Sequence, residues 1–284
     1  VIQGSTNEAA GGSRLNRAGG ARAIDIRNTI GIGLRDLTIT NAVSGVRVFR
    51  STNCVMERVR VESPQVGFEI QESASNAVLH SIVHAFTGTG ILVSASSVTK
   101  LDSGAFLTRG ASGVCVSVSI GGLAVSNSVF SVDGADNLVY HIGAGGTLTA
   151  DYNALQLTNG ARVAIQAKLP AGVRGDSDTV YDNVSRWVRD SSRDQHSLSE
   201  VLGLADPLTG DYHPLSQGGR YVASNESFTI DGATSDLVDS GYPSGVFTNE
   251  PLPNGKRLNI GPYGNTPVAS MTPSMRFTRP GRVF

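Results

Sequence analysis

Three charged residues, Asp25, Arg47 and Glu69, follow one another at steps of 22 residues, a spacing that can stack side chains on one surface. A base beside a cation can catalyse β-elimination in a polysaccharide that contains uronate residues. A pair of carboxylates can instead hydrolyse a glycosidic bond. Both chemistries need polar groups that converge in a groove. The catalytic candidates are Arg47, Glu69 and His80, and the substrate-binding candidates are Asp25, Arg27, Arg47, Glu69 and Gln71.

A stabilising charge ladder is the alternative interpretation of these residues. If each step is one strand of a stack, Asp25 and Glu69 are roughly 10 Å apart. That separation is slightly wide for an inverting pair of carboxylates, and Arg47 lies between them. Opposite charges on adjacent strands stabilise a sheet by roughly 0.2–1 kcal/mol per pair, so a ladder is favoured over a catalytic pair.

His80 is predicted to lie between Glu57 and Asp102 in a second polar column. Flanking carboxylates raise the pKa of a histidine, which can then act as an acid. The alternative is again a surface ladder of ion pairs.

Metal-binding signals in the sequence are weak. Asp176 and Asp178 resemble a fragment of a calcium loop, but the Gly and Glu that would complete the loop are missing. Ca²⁺ is therefore a weakly supported cofactor, and no other cofactor is indicated. His196 and His213 lie near several Asp residues at a spacing that fits no standard site, which favours a loop-ordering role.

The element that positions these residues is a repeat that extends from Ala23 to Leu155. Its segments recur at steps of 22, 23 and 23 residues, beginning at Gly45, Gly67, Gly90 and Gly113. A period of about 20 to 25 residues with two short strands is typical of a solenoid, whose core exists only through stacking of the coils.

Stacking the coils predicts inward apolar columns. These columns are Ile24, Val46, Phe68, Ile91, Val114 and Val139; Ile26, Val48, Ile70 and Val93; Leu37, Val59 and Ile82; and Ile39, Val61, Phe106, Phe130 and Leu155. His84 falls in the last column, and three interpretations of it are open. It is a core histidine with one hydrogen bond, its place in the column results from an error in the predicted register, or it is a functional residue. Cys54 and Cys115 lie three coils apart, roughly 14 Å, so we predict two free thiols.

Composition argues against several classes of function. The 284-residue chain has a net charge of −1 and 17% charged residues, with no run of Lys and Arg. It also has no apolar stretch of about 18 residues, so we expect neither nucleic-acid binding nor a transmembrane segment. Its 34 Gly residues are typical of a β-rich, turn-rich chain.

Residues 1–205 are predicted to form the solenoid, with a protruding loop from Glu8 to Arg22 and an insertion at 159–205. A short helix is predicted within Thr179–Asp190, because this segment carries an amphipathic stripe made of Val180, Val184, Trp187 and Val188. Residues 206–284, rich in Gly, Pro, Asn and Asp, are predicted to form one or two final coils and a loop-rich cap, continuous with the solenoid.

The stacked columns resemble right-handed parallel β-helix proteins, the fold shared with pectate-lyase-like enzymes. The segments Ala205-Asp-Pro-Leu-Thr-Gly-Asp-Tyr-His-Pro-Leu and Asn259-Ile-Gly-Pro-Tyr-Gly-Asn-Thr-Pro are similar to the terminal region of β-helix domains in large secreted or surface proteins of environmental bacteria. The resemblance implies an all-β, right-handed parallel β-helix and an extracellular location. It does not imply a reaction.

We therefore expect a structural or adhesive module of a larger extracellular or cell-surface protein, with a secretion signal upstream of Val1. Other segments or copies of the parent protein, and glycans, are the expected partners. A polysaccharide lyase or a glycoside hydrolase is the alternative, and it is less favoured because no catalytic set converges in the sequence. A carbohydrate-binding module without catalysis is the third interpretation.

Overall fold

A computed structural model describes residues 1–5, 13–62, 64–108, 110–167, 178–199 and 201–274. Its elements are β1 Ile2–Gln3, β2 Ser13–Arg27, β3 Gly33–Phe49, β4 Val55–Glu62, β5 Val66–Gln71, β6 Ala77–Leu79, β7 Ile82–Phe86, β8 Thr89–Ser94, β9 Ser96–Asp102, β10 Ala105–Thr108, β11 Val114–Ser126, β12 Val129–Asp133, β13 Leu138–Asp151, β14 Ala154–Thr158, β15 Arg162–Gln166, β16 Thr179–Tyr181, α1 Val184–Ser191, β17 Leu204–Asp206, β18 Asp211–Pro214, β19 Arg220–Val222 and β20 Ser227–Thr229.

Parallel pairing between successive coils builds an all-β solenoid of about 6 turns, as the repeat predicted. Each coil contributes to three faces. Face A includes the column Asp25, Arg47 and Glu69. Face B includes the column Arg35, Glu57, Leu79, Asp102, Ser126 and Asp151. Face C includes the column Thr38, Arg60, Ile82, Ala105, Val129 and Ala154.

The predicted interior columns are confirmed where the strands are regular. Every member of two columns is buried, namely Ile26, Val48, Ile70 and Val93, and Ile39, Val61, Phe106, Phe130 and Leu155. The other two columns are wrong in their later members. Ile91 pairs with Val116 and not with Val114, and Ile82 pairs with Arg60 and not with Val59.

These register errors arise because the turns between faces C and A differ in length. The separation across this turn is seven residues from Val61 to Phe68, eight from Val83 to Ile91 and ten from Phe106 to Val116, although these residues occupy the same two columns. The corner between faces B and C, in contrast, keeps the same length in every coil. One residue per coil adopts a left-handed backbone there, with φ between 49° and 56°: Asp36, Arg58, His80, Ser103, Asn127 and Tyr152. Such a residue turns the chain and interrupts the two-residue alternation of side chains. Asp36, His80 and Asn127 are of types that adopt this conformation more readily than most, whereas Arg58, Ser103 and Tyr152 are not, so the sequence gives no consistent signal of this corner.

The repeated glycines have a steric explanation. A Cβ atom on Gly45 would lie 2.6 Å from the carbonyl oxygen of Gly67 and 2.7 Å from the side chain of Val61. A Cβ atom on Gly67 would be equally close to Gly90 and Val83. The coils therefore approach too closely here for any other residue, which is why glycine marks the repeat.

The N-terminal loop that we predicted from Glu8 to Arg22 is wrong for its second half. Strand β2 begins at Ser13, which pairs with Leu37 of β3. Residues 6–12 lie outside the described residues. The strand could not be recognised from its polar, Gly-rich and Ala-rich composition. This composition is possible because β2 is an edge strand with few buried side chains.

The predicted helix is confirmed in part as α1, Val184–Ser191. The start of the predicted segment, with Val180, is wrong, because it forms strand β16, and the helix ends one residue beyond Asp190. Asn183 caps it, since its side-chain oxygen accepts a hydrogen bond from the Arg186 amide at 2.9 Å. Trp187 is fully buried and stacks on Tyr140, with ring centroids 5.6 Å apart. The helix thus covers the C-terminal end of the solenoid core, as the stripe predicted.

The segment at 201–274 lies along face C. Its strands form two antiparallel pairs, β17 with β18 and β19 with β20, where we expected one or two final parallel coils. Its buried side chains are Leu202, Tyr212, Leu237 and Ile260, and they pack on Ile82, Ala105, Val129 and Ala154 of the solenoid. A second hydrophobic core therefore forms outside the first, between face C and this segment.

Two smaller findings complete the fold. Cys54 and Cys115 are free and buried, as predicted. No helix in the described part of the chain has the length and apolar character needed to cross a membrane.

Candidate functional site

The face A candidates are stacked in register, but their charges are already paired. Arg27 Nη2 lies 2.7 Å from Asp25 Oδ2, and Arg47 Nη2 donates to Gln71 Oε1 at 2.6 Å. Arg47 Nε lies 3.8 Å from Glu69 Oε2. Ion pairs within β2 and between coils therefore balance these charges, as expected for a charge ladder, although Arg47 Nε is buried without a hydrogen-bond partner.

Electrostatics on face A favour permanently charged groups. The hydrogen bond from Arg27 is the main cause that lowers the pKa of Asp25, so this carboxylate stays ionised. The Arg47 guanidinium also lies 4.5 Å from the centre of the Phe49 ring, a cation–π contact. A general acid needs a raised pKa, and Asp25 is shifted in the opposite direction.

His80 differs from its predicted placement. Leu79, not His80, pairs with Glu57 and with Asp102. His80 occupies the left-handed corner that follows, and burial is the main cause that lowers its pKa, although Asp102 and Glu57 act to raise it. The expected rise in its pKa is therefore wrong, because the loss of hydration outweighs the two carboxylates.

A cleft of about 940 Å³ lies over face B. The solenoid forms its floor, and its walls come from the end of α1 with the next residues and from the C-terminal segment. Its polar and aromatic lining includes His80, Lys100, Asp102, Asp151, Tyr152, Arg193 and Tyr242. Of the three catalytic candidates, only His80 lines this cleft.

Asp102, Ser126 and Asp151 lie in register on the floor of the cleft. Asp102 Oδ1 accepts hydrogen bonds from Ser126 Oγ at 3.0 Å and from Asn127 Nδ2 at 2.7 Å. Asp102 Oδ2 lies 2.8 Å from Lys100 Nζ. Both oxygens of this carboxylate therefore have partners.

Asp151 is satisfied in a similar way. Its Oδ1 accepts hydrogen bonds from the amides of Tyr152 at 3.0 Å and of His196 at 2.8 Å. Its Oδ2 lies 2.8 Å from His196 Nδ1. These contacts tie the segment after α1 to face B, in agreement with a loop-ordering role for His196.

Aromatic rings continue this contact to the rim of the cleft. Tyr152 stacks on His196 with centroids 4.9 Å apart, and its ring meets Tyr242 at an interplanar angle of 76°. Tyr242 is 49% exposed, and its amide donates to Asn127 Oδ1 at 2.7 Å. The rim therefore presents an exposed ring that both backbone and side-chain contacts hold in place.

Asp194 fixes the wall that follows α1. It is buried, and its carboxylate accepts hydrogen bonds from Trp187 Nε1, Asn153 Nδ2 and Ser197 Oγ at 2.7–3.0 Å. Burial is the main cause that raises its pKa, and these hydrogen bonds oppose the rise. One side chain thus joins the helix, the solenoid and the segment beyond the helix.

Glu250 holds the other wall. Its Oε1 accepts hydrogen bonds from the amides of Asn259 at 2.9 Å and Asn265 at 2.8 Å, and Asn265 lines the cleft. Burial raises the pKa of Glu250 to about 7. This wall therefore depends on a carboxyl group that titrates near neutral pH.

His84 is buried, and its predicted column position is wrong by one residue. Two of its three interpretations, a buried histidine with a hydrogen bond and a register error in the predicted stack, therefore both apply. Val83 occupies the interior column between Val61 and Phe106, while His84 pairs with Glu62 on the outer side. The C-terminal segment covers it, and His84 Nδ1 lies 2.9 Å from the Tyr212 hydroxyl. Its hydrogen bond therefore serves the second core, not the first.

His213 also has an ordering contact within the C-terminal segment. Its Nδ1 lies 2.6 Å from Asp211 Oδ1, and its ring stacks on Tyr263 with centroids 3.5 Å apart.

The weak calcium candidates gain no further residues. Asp178 is exposed, and Asp176 lies outside the described residues. Within the described ranges, no three His, Cys, Asp or Glu side chains come together in a way that could hold a metal ion.

Sequence reasoning missed the cleft, although part of its signal was present. Asp102 and Asp151 occur at equivalent positions of the repeat, so their column could have been found from the period. Tyr242 gave no such signal, because it follows the repeat and reaches face B only through the path of the C-terminal segment. Tyr140 is fully buried under Trp187, so its ring is not available to a ligand.

The cleft can form hydrogen bonds and one stacking contact with a polar ligand. Two carboxylates, Asp102 and Asp151, are matched by two cations, Lys100 and Arg193, so the lining has no strong charge preference. An exposed ring beside hydroxyl, amide and carboxylate groups suits a ligand with an apolar face and several hydroxyls.

Comparison with known proteins agrees with the fold. A family model described as a right handed beta helix region matches residues 22–168. No curated protein and no solved structure matches the chain.

Proposed function

The chain belongs to the right-handed β-helix family, and from this premise we propose that it is an adhesive module that binds a glycan in the cleft over face B. It would serve as one part of a larger extracellular or cell-surface protein. The similarity of its C-terminal segments to those of secreted and surface β-helix proteins supports that location.

The exposed ring of Tyr242 carries the proposal. It stands at the rim of the cleft, 49% exposed, and is anchored to the solenoid through Asn127. Sugars present apolar C–H faces that pack on aromatic rings, while their hydroxyls bond to groups such as Ser126 on the floor. Exposure of a large side chain that is also held rigidly suits a ligand contact.

The carboxylates of the floor favour binding over catalysis. Asp102 and Asp151 accept hydrogen bonds on both oxygens, as described above, so they can orient neighbouring donors toward a ligand. Elimination in a uronate polymer needs a cation that is free to stabilise the developing enolate. Lys100 is paired with Asp102, and Arg193 is held by the Leu148 carbonyl oxygen and lies over the Trp187 ring. A neutral glycan therefore fits the cleft better than a polyuronate.

A binding panel tests the proposal. We expect at least one neutral polysaccharide to bind the chain in calorimetry, and Tyr242→Ala to weaken that binding about tenfold or more. Tyr242→Phe keeps the ring and serves as the matched control, with affinity near that of the unmodified chain. If no glycan in the panel binds, or if Tyr242→Ala binds as tightly as Tyr242→Phe, the proposal fails.

A glycoside hydrolase is the second candidate, because of one observation. Asp102 and Asp151 stand two coils apart on one column of the cleft floor, with the uncharged Ser126 between them. Their separation of about 10 Å by strand spacing is slightly wide for an inverting pair, as it is for Asp25 and Glu69. Release of reducing ends from a bound glycan, abolished by Asp102→Asn and by Asp151→Asn, would favour this candidate. Unsaturated products that absorb in the ultraviolet would instead indicate a lyase, and they would contradict both the binding module and the hydrolase.

A further inference from the structure

A buried carboxyl group supports the wall of the cleft that carries Tyr242. Glu250 is only 5% exposed, and its Oε1 accepts hydrogen bonds from the amides of Asn259 at 2.9 Å and of Asn265 at 2.8 Å. Its other oxygen, Oε2, is also buried, and it has no hydrogen-bond partner among the described residues. One oxygen of this carboxyl group is therefore satisfied by the wall, and the other is not.

The surroundings of Glu250 oppose a negative charge on this side chain. Burial is the main cause that raises its pKa to about 7, and the Asp239 carboxylate adds to the rise, while the two amide hydrogen bonds act against it. The next cations along the chain do not compensate, because Lys256 is exposed and Arg257 donates to two backbone carbonyl oxygens at 2.6 and 3.1 Å. Ionisation thus places charge on a buried oxygen that has neither a donor nor a cation beside it in the described part of the chain.

Short contacts connect Glu250 to the cleft. Asn265, whose amide it binds, lines the cleft directly. Leu258, which immediately precedes the other bonded amide, also lines the cleft, and its carbonyl oxygen accepts a hydrogen bond from the Gly241 amide at 2.7 Å. Tyr242, the ring that carries the proposed glycan contact, follows Gly241 in the chain. A movement at Glu250 is therefore transmitted to the wall on both sides of the exposed ring.

We propose that Glu250 makes glycan binding depend on pH, because the wall keeps its binding shape while this carboxyl group is protonated and loosens when the group is ionised. The inference rests on the proposed function, since it concerns the regulation of the same cleft. A neutral carboxyl group remains buried at little cost, whereas a buried charge without a partner moves toward water and opens the loop that it holds. Because the glycan binds the protonated form more tightly, linkage requires that binding takes up protons from solution.

Calorimetry of the 284-residue chain with oligosaccharides of glucan, mannan, xylan and galactan tests the inference. We expect the dissociation constant of an oligosaccharide that binds to be at least about fivefold higher at about pH 8.5 than at about pH 5.5. Titrations at about pH 8 in two buffers with different heats of ionisation should show proton uptake on binding. Glu250→Gln stays neutral, so it should abolish the proton uptake and keep the tight binding at high pH.

Glu226→Gln is the matched control, because it makes the same change at an exposed position and should keep the pH dependence of the unmodified chain. Asp239→Asn provides a second variant, for the case that Glu250→Gln does not fold. It removes the neighbouring negative charge and should move the midpoint of the pH dependence to lower pH. An oligosaccharide that binds equally well across this pH range, or with the same pH dependence in Glu250→Gln, would overturn this inference and leave the proposed function standing. If no oligosaccharide binds at any pH, both fail.

Discussion

Faces A and B carry polar columns built by the same repeat, yet only face B forms a cleft. On face A, the charged groups pair with one another, Asp25 with Arg27 on the same strand and Arg47 with Glu69 one coil away. On face B, the floor residues Asp102 and Asp151 also have partners, but segments from outside the repeat rise on both sides of them. The difference lies in the walls, not in the floor.

The comparison teaches that a solenoid face becomes a binding site through what is added to it. A repeated coil supplies regular, mutually satisfied side chains, which favours register and stability. Residues that break the repeat bring the irregular groups, such as Tyr242, that can recognise a ligand. Buried polar contacts at Asp194, Glu250 and Asn127 hold these walls, so they are the places where the difference between the faces can be tested.

The largest effect is expected from Asp194→Ala. It removes the acceptor of two buried donors, Trp187 and Asn153, and of the half-buried Ser197 hydroxyl, and we predict that the free energy of unfolding falls by about 3–5 kcal/mol in urea denaturation. Asp133→Ala is the matched control, because Asp133 accepts hydrogen bonds from Thr158 and Asn159 on an exposed surface and should change stability little. Similar losses in both variants would show that Asp194 does not hold the wall.

The next effect is pH dependence that arises from Glu250. Its pKa is raised from 4.5 to about 7, so folding favours the protonated form. The stability contribution is fully present below about pH 4.5 and is lost as the pH rises through about 7, a loss on the order of 3 kcal/mol for a shift of this size. Glu250→Gln should remove this part of the pH dependence. If the free energy of unfolding of Glu250→Gln depends on pH as in the unmodified chain, a group other than Glu250 is responsible for this titration.

A smaller loss is expected from Asn127→Ala. Asn127 joins the floor to the wall, since its Nδ2 donates to Asp102 and its Oδ1 accepts from the Tyr242 amide. We predict a stability loss of about 1–3 kcal/mol together with weaker glycan binding. Asn159→Ala is the control, because Asn159 also has a left-handed backbone and donates to an Asp, but on an exposed corner. Normal binding by Asn127→Ala would contradict its role as the link.

The smallest effect is expected on face A. Arg47→Met removes one member of the charge ladder, and unfolding should show a stability loss of about 1 kcal/mol or less. Calorimetry should show glycan affinity unchanged. A large loss of affinity in this variant would move the binding site to face A and reverse the comparison.

The fold could be predicted from the sequence to the extent that it repeats. The 22-residue step located the columns through Ile26 and Ile39, and the stripe around Trp187 located the only described helix. The register around Ile82 and Val114 could not be predicted, because the turns from face C to face A lengthen in the later coils and one fixed step cannot follow them. The cleft was missed for a different reason, since its walls depend on long-range packing of a segment that has no period.

The most direct test of the central claim is hydrogen exchange of the chain with and without the glycan that binds it. The account predicts slower exchange on face B, at Asn127, Tyr152 and the segment from Tyr242 to Val246. It predicts no change on face A around Arg47 and Glu69. Protection confined to face A, or spread equally over both faces, would contradict it.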